Sequence, residues 1–254
     1  RTAASIRPEG INWPRNEAGE LVLKLDQLAP ANGIKHANAH DALADVRATI
    51  ELARLLKKAQ PRLYSYVFQL KHKAQVWEQL DLQMQKPVLH VSSMYGRDNG
   101  YLSLVGAFAK HPSNNNGVLV FDLRQDPRLW QGYSTTQLQE LLFSSKDQLP
   151  MGTVRPAVKE IHVNKCPVVA PLQTLTDEQA QKFSIDKAQC HMHLQYLRQD
   201  TALCKALVEA FSKRPDFPAV DPDAGLYGVG FFSDKDRKSM LKVHQQNPET
   251  WSEG

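Results

Sequence analysis

Three short β-rich apolar runs lie close together near the middle of the chain. They occupy residues 88–91, 101–105 and 118–121. Turn-forming residues separate the runs, at Gly96, Asn99-Gly100, Pro112 and Asn116-Gly117. Strands of this length at this spacing, divided by turn dipeptides, are typical of a small barrel or compact sheet. A further strand is predicted at residues 158–163.

Helices are predicted on both sides of these strands. The clearest covers residues 41–58, whose apolar side chains fall on one stripe. The stripe consists of Leu43, Val46, Ile50, Ala53 and Leu56. Other helical segments are predicted at residues 21–28, 61–80, 135–144, 177–183, 187–211 and 233–246, with caps at Ser134 or Thr135 and at Ser233 or Asp234. Residues 1–19 are rich in Pro, Gly and Asn, and are predicted to be a loop.

The composition excludes several classes of protein. Of 254 residues, 42% are hydrophobic and 23% are charged, which is a globular balance. No run approaches the roughly 18 apolar residues that span a bilayer, so no membrane association is expected. Cys166, Cys190 and Cys204 have neither disulfide nor zinc spacing, which favours free thiols in a reducing cytoplasm. The net charge of +4 is only mildly basic.

Aromatic residues lie among cations between Lys57 and Lys73, a stretch without Asp or Glu. The cations are Lys57, Lys58, Arg62, Lys71 and Lys73, and the aromatic residues are Tyr64, Tyr66 and Phe68. This mixture suits a phosphate backbone with unstacked bases. A helix end followed by a solvated linker explains it equally well. Lys71, Lys73 and Arg97 are the candidate DNA-binding cations, whereas burial is expected for Trp77, Trp130 and Tyr133. His90, His111 and His162 have no metal spacing and are expected to be structural.

His40 and Asp45 carry the sharpest chemical pattern. His40 precedes the predicted helix, and Asp45 lies in its first turns. This arrangement suits metal-assisted phosphodiester hydrolysis, in which Asp45 binds Mg²⁺ and His40 takes a proton from the attacking water. The spacing alone is weak evidence. The alternative is an exposed His followed by a carboxylate that complements the helix dipole.

Short stretches along the whole chain resemble the bacterial exodeoxyribonuclease I family, in the family's order. They are RPEGINWP at 7–14, LDQL at 25–28 with ANGI at 31–34, HDALAD at 40–45, QPRL at 60–63, KPVLHVS at 86–92, HVNKCPV at 162–168 and GFFSD at 230–234. Each match is modest, but the set as a whole is specific.

The resemblance implies an α/β plus β-barrel fold in three parts. Residues 1–60 would be the C-terminal part of an RNase-H-like exonuclease domain. Residues 61–212 would be a Src-homology-3-like barrel domain, and residues 218–254 the start of a helical domain. It also implies a 3′→5′ exonuclease of single-stranded DNA with a DEDDh motif set and two Mg²⁺ ions. In that scheme Asp45 is a metal ligand and His40 the base.

The resemblance further implies a cytoplasmic monomer that binds single-stranded DNA and the acidic C-terminal tail of the single-stranded DNA-binding protein. Arg7 and Tyr66 match positions near the family's site for that tail, although a loop charge and interdomain packing explain them almost as well. Pro171 and Thr176 stand where polar or basic residues are expected. The family's other catalytic carboxylates precede Arg1, so this chain is expected to be inactive alone.

Three hypotheses follow from these observations. The chain is part of a single-strand-specific exonuclease, or a non-catalytic module that binds single-stranded DNA or a partner protein, or an unrelated α+β protein. The resemblance argues against the third. Because residues 1–60 would lack the central strands of their sheet, we expect an exposed apolar helix face and poor order in isolation.

Overall fold

The computed structural model describes residues 1–35, 42–212 and 232–246. The chain divides into two compact units, 1–214 and 215–254. Of the described helices, none is long and apolar enough to cross a membrane. The boundary predicted near residue 60 stays a prediction.

A five-stranded antiparallel sheet forms the centre of the first unit. Its strands are β1 (Val88–Val91), β2 (Leu102–Lys110), β3 (Gly117–Asp122), β4 (Val158–His162) and β5 (Val168–Pro171), in the order β4-β3-β2-β1-β5. The predicted strands are therefore present, as a compact sheet. The sequence pattern does not predict β5. This strand is short, and it is defined by its pairing with β1, in which Val88 lies opposite Pro171.

Ten α-helices are described. They are α1 (Thr2–Ile6), α2 (Leu25–Ala31), α3 (Ala42–Ala59), α4 (Pro61–Gln69), α5 (Lys73–Gln79), α6 (Thr135–Phe143), α7 (Asp177–Lys182), α8 (Lys187–Gln199), α9 (Thr201–Ser212) and, in the second unit, α10 (Asp234–Gln245). Capping boxes at Ser134 and Ser233 decide between the predicted caps.

Three sequence-based expectations about helices are wrong in detail. The helix predicted over 61–80 is two helices, α4 and α5, separated by a short turn at residues 70–72. Residues 1–19 are not all loop, because α1 buries Ile6 in the same core as the sheet. The predicted helix over 187–211 is two helices. The Asp200 carboxylate accepts a hydrogen bond from the Leu203 amide (2.9 Å), which caps a new helix start.

The sheet is buried on both faces. Successive strand residues point to opposite sides. Leu89, Leu104 and Phe121 belong to a core that includes residues of α8 and α9. Their neighbours Val88, Val105 and Val120 belong to a second core that includes Val76 of α5. The sheet is therefore the middle layer of the first unit, and its polar residues lie between two apolar layers.

Helix α3 is buried much less than the sheet. It packs against α2 and α4, and Ala48 is fully buried. Leu43, Val46 and Ile50, however, are 55%, 55% and 45% exposed. Part of the predicted apolar stripe thus has no covering layer within the described residues.

Candidate nucleic-acid interface

The predicted catalytic pair is only half described. His40 lies outside the described residues. Asp45 lies in the first turn of α3 and is half-buried, and its backbone carbonyl accepts a hydrogen bond from Thr49 Oγ1 (2.8 Å). Within 1–35, 42–212 and 232–246, no group of three His, Cys, Asp or Glu side chains could hold a metal ion.

The three predicted DNA-binding cations have three separate partners. Lys71 lies 3.8 Å from the centroid of the Phe68 ring. Lys73 donates a hydrogen bond to Asn116 Oδ1 (2.8 Å), which ties α5 to the turn between β2 and β3. Arg97 forms an ion pair with Glu20. These positions do not place the three cations in one cluster.

Of the aromatic residues in the predicted cation–aromatic stretch, Phe68 is exposed on α4, whereas Tyr64 and Tyr66 are half-buried. Tyr64 and Phe68 stand one helical turn apart, and their rings stack with centroids 6.3 Å apart. Phe68 is 52% exposed and carries the Lys71 ammonium group over its face. We call Tyr64, Phe68 and Lys71 the α4 stack. An exposed ring beside a cation can accept an unpaired base next to a phosphate.

Arg7 and Tyr66 both reach the segment around β5. Arg7 Nη2 donates to the Thr174 carbonyl (3.3 Å), and the Tyr66 hydroxyl donates to the Val169 carbonyl (2.8 Å). Burial raises the pKa of Tyr66. The two side chains, far apart in sequence, therefore hold one short stretch of backbone. Pro171 is exposed between those two carbonyls.

The predicted burial of three aromatic residues is right for one of them. Trp130 is 2% exposed and packs against Phe121. Trp77 is half-buried, with Lys110 Nζ 5.5 Å from its ring centroid. The expectation for Tyr133 is wrong, because this side chain is 41% exposed. Tyr133 follows a short 3-10 turn rather than lying in a strand or a long helix. Apolar periodicity therefore could not predict whether its side chain faces the core.

Sequence reasoning expected His90 to be structural but missed the buried polar group that His90 of β1 forms with Lys159 of β4. His90 is 3% exposed, and its Nδ1 lies 2.9 Å from the Val168 carbonyl, which can only accept. Nδ1 therefore carries the proton, and Nε2 accepts from Lys159 Nζ at 3.2 Å. Lys159 also donates to Ser92 Oγ. No sequence signal indicated this pairing, because Lys159 lies in a strand that also contains the polar residues Glu160 and His162.

Burial governs the ionisation of this group. Desolvation, followed by the charge of Lys159, lowers the pKa of His90 to about 4. Desolvation lowers the pKa of Lys159 to about 8. At neutral pH the group therefore contains a neutral imidazole and an ammonium ion close to its titration range.

The chain is similar to known exonucleases over nearly its whole length. Residues 71–213 match the family model described as the Exonuclease I SH3-like domain. The exodeoxyribonuclease I of Escherichia coli strain K12 is 41% identical over 249 residues, which is 98% of this chain and 52% of that protein. The chain thus spans about half the length of the curated relatives it matches.

Solved structures give the same result. A crystal structure of E. coli exonuclease I with a dA16 oligonucleotide superposes with a TM-score of 0.83 at 40% identity, covering 97% of this chain and 53% of that one. A structure of SSB/exonuclease I with an inhibitor superposes with a TM-score of 0.79 at 37% identity, covering 97% and 51%. The sheet, the helices around it and the order of the matched segments together place this chain in the exonuclease I family, as a polypeptide that contains its SH3-like domain.

Proposed function

We propose that this chain is part of a 3′→5′ exonuclease that hydrolyses single-stranded DNA, and that it contributes to binding of that DNA. The similarity to exodeoxyribonuclease I along 98% of the chain is the observation that carries this proposal. The α4 stack supports it, because an exposed stacked ring next to a lysine suits an unpaired nucleotide. Such an enzyme would serve DNA repair and recombination in the cytoplasm.

The finer domain order belongs to the same proposal. Residues 1–60 would complete an RNase-H-like exonuclease domain, residues 61–212 would be the SH3-like barrel domain, and residues 218–254 would begin a helical domain. The exposed side of α3 supports the first assignment, because Leu43, Val46 and Ile50 form an apolar surface of the kind that packs on a sheet.

Catalysis would require residues beyond this chain. In the complete enzyme, Asp45 would bind one of two Mg²⁺ ions and His40 would act as general base. The described residues do not fit such a centre by themselves, since they provide no group of three metal-binding side chains. We therefore expect the 254-residue chain to bind DNA without cutting it.

The partner site would lie around β5. Arg7 and Tyr66 both hold this segment, and a guanidinium beside an aromatic ring suits a peptide that ends in an apolar residue and a carboxylate. The structure of SSB/exonuclease I supports the tail of the single-stranded DNA-binding protein as the ligand. We propose that the complete enzyme, in which the exposed side of α3 is covered, is a monomer that binds one such tail.

Binding of single-stranded DNA is tested on the pure chain. We expect it to bind oligodeoxythymidylate more tightly than a duplex and to release no mononucleotide in Mg²⁺. Phe68→Ala should weaken strand binding about 5-fold or more, since a base–aromatic stack contributes about 1–3 kcal/mol. Leu129→Ala, which removes an apolar side chain that is 57% exposed, is the matched control and should have no effect.

Catalysis is tested on a longer protein that combines this chain with the further catalytic carboxylates that the family resemblance implies. Mononucleotide release should depend on Mg²⁺, and Asp45→Asn should abolish it while strand binding persists. If that protein binds the strand but releases nothing, the alternative holds: a non-catalytic module for single-stranded DNA or for the single-stranded DNA-binding protein.

A further inference from the structure

A cavity of about 470 Å³ lies beside the buried polar group, where β3 ends and β4 begins. It is separate from the α4 stack and from the segment held by Arg7 and Tyr66. Its lining includes Tyr95, Asn99, Arg124, Leu142, Arg155 and Lys159. A volume of this size is ordinary for a small-molecule site.

The charges around the cavity are unbalanced. Arg124 is neutralised by Asp122, which accepts from its Nε (3.1 Å) and Nη2 (2.6 Å). Arg155 donates to the Ser144 carbonyl (2.7 Å), and Lys159 donates to Ser92. Among the described residues, no carboxylate lies within 4 Å of Arg155 or Lys159. The cavity therefore has two positive charges without a counterion.

Tyr95 adds an aromatic wall and an unused polar atom. It is 8% exposed, and its hydroxyl is the buried side-chain atom without a hydrogen-bond partner within the described part of the chain. Arg124 and Lys159 lie 5.5 and 5.3 Å from its ring centroid. A buried hydroxyl without a partner is costly unless a ligand or water satisfies it. Leu142 and Pro156 complete an apolar side of the cavity.

We propose that this cavity binds one nucleotide unit of single-stranded DNA, with the phosphate between Arg155 and Lys159 and the base against Leu142 and Pro156. The inference extends the proposed strand binding to a specific site. A phosphate supplies the missing counterion for two half-buried cations. The negative charge of the phosphate would also favour the protonated form of Lys159, whose pKa burial lowers to about 8.

The test compares cavity variants with a control of equal charge. Arg155→Gln and Lys159→Met each remove one cavity cation. Lys165→Gln removes one from an exposed turn outside it. Binding of labelled oligodeoxythymidylate is measured by fluorescence anisotropy over a range of salt. We expect each cavity variant to bind about 5- to 10-fold more weakly at low salt and to lower the salt slope by about 1. The control should keep the slope of the parent chain.

Amide chemical shifts of Asn99 and Ala157 give a second measurement, with dTMP and inorganic phosphate as separate ligands. Arg155 lies in a loop, so its variant should fold even if Lys159→Met does not. If the strand binds and the cavity variants match the parent chain, the site is wrong while the proposed function stands. If the strand does not bind, the proposed function fails, and the site stands only if dTMP shifts these amides. If inorganic phosphate binds as tightly as dTMP, the site is a simple anion site and the inference is overturned.

Discussion

The central sheet and helix α3 both come from clear apolar patterns, yet they end in different environments. Leu89, Leu104 and Leu119 of the sheet are fully buried, whereas Leu43 and Val46 of α3 are 55% exposed. Both faces of the sheet are covered by helices of the first unit. Helix α3 packs against α2 and α4, and among the described residues nothing covers Leu43 and Val46. An apolar stripe thus predicts a side that prefers burial, but it does not predict that a covering layer is available.

The largest expected effect tests this difference directly. Leu104→Ala should lower the free energy of unfolding by about 2–5 kcal/mol, because it leaves a cavity in a close-packed core. Leu43→Ala removes the same atoms from a half-exposed position and should cost less than about 0.5 kcal/mol. Urea unfolding followed by circular dichroism measures both. If the two variants lose equal free energy of unfolding, the exposed side of α3 is packed in solution. The contrast between the sheet and α3 would then be wrong.

Acid should act on the sheet through His90. Its pKa is about 4 in the folded chain and about 6.5 when unfolded, so the unfolded chain binds more protons between these values. Stability should therefore be full above about pH 6.5 and fall as pH drops towards 4, by at most about 3 kcal/mol. Lys159 and Tyr95 face the ring but keep their charge states in this range, while the Asp122 carboxylate is held by Arg124 and Ser103.

His90→Gln should flatten this pH dependence, and urea unfolding at several pH values measures it. The variant also loses packing, so the slope with pH is the informative quantity rather than the absolute stability. His72→Gln alters an exposed histidine and should leave the slope as it is. An unchanged slope in His90→Gln would assign the acid sensitivity to another group.

The smallest effect on stability is expected at the exposed side of α3. Replacing Leu43 and Ile50 with Gln should change the free energy of unfolding by less than about 0.5 kcal/mol each. Self-association should fall, because contiguous exposed apolar surface favours contact between copies. Sedimentation velocity over a concentration series measures this. Met151→Gln, at a fully exposed position, is the control. If the parent chain stays monomeric throughout, the exposed side is harmless in solution.

Much of the fold follows from local pattern. The apolar runs at 88–91 and 118–121 become β1 and β3, and the stripe over 41–58 becomes α3. The Ser134 and Ser233 caps depend on only a few neighbouring residues, so they too can be predicted from the sequence. Motif order along the chain was enough to indicate the exonuclease I family, which the comparisons confirm.

The candidate sites could be predicted from the sequence only in part. Asp45, Arg7 and Tyr66 were identified by their surroundings in sequence, but their roles stay predictions. Local pattern did not predict that Arg7 and Tyr66 meet near β5, because each bonds to a carbonyl more than a hundred positions away, and only the family resemblance placed them near one site. The cavity lined by Tyr95, Arg124 and Lys159 likewise could not be predicted from the sequence, because its residues come from segments that meet only when the strands pair.

The sequence by itself determined where most of the helices and strands lie and which sides of them prefer burial. These properties depend on backbone preferences and on apolar periodicity, which act over a few residues. Tertiary structure alone decided that β5 pairs with β1, that α1 joins the core, and that α3 stays half-covered. It also placed Tyr95 and Leu142 beside Arg155 and Lys159 to form one cavity. Such outcomes depend on which distant surfaces meet, and that is set by the packing of the whole unit.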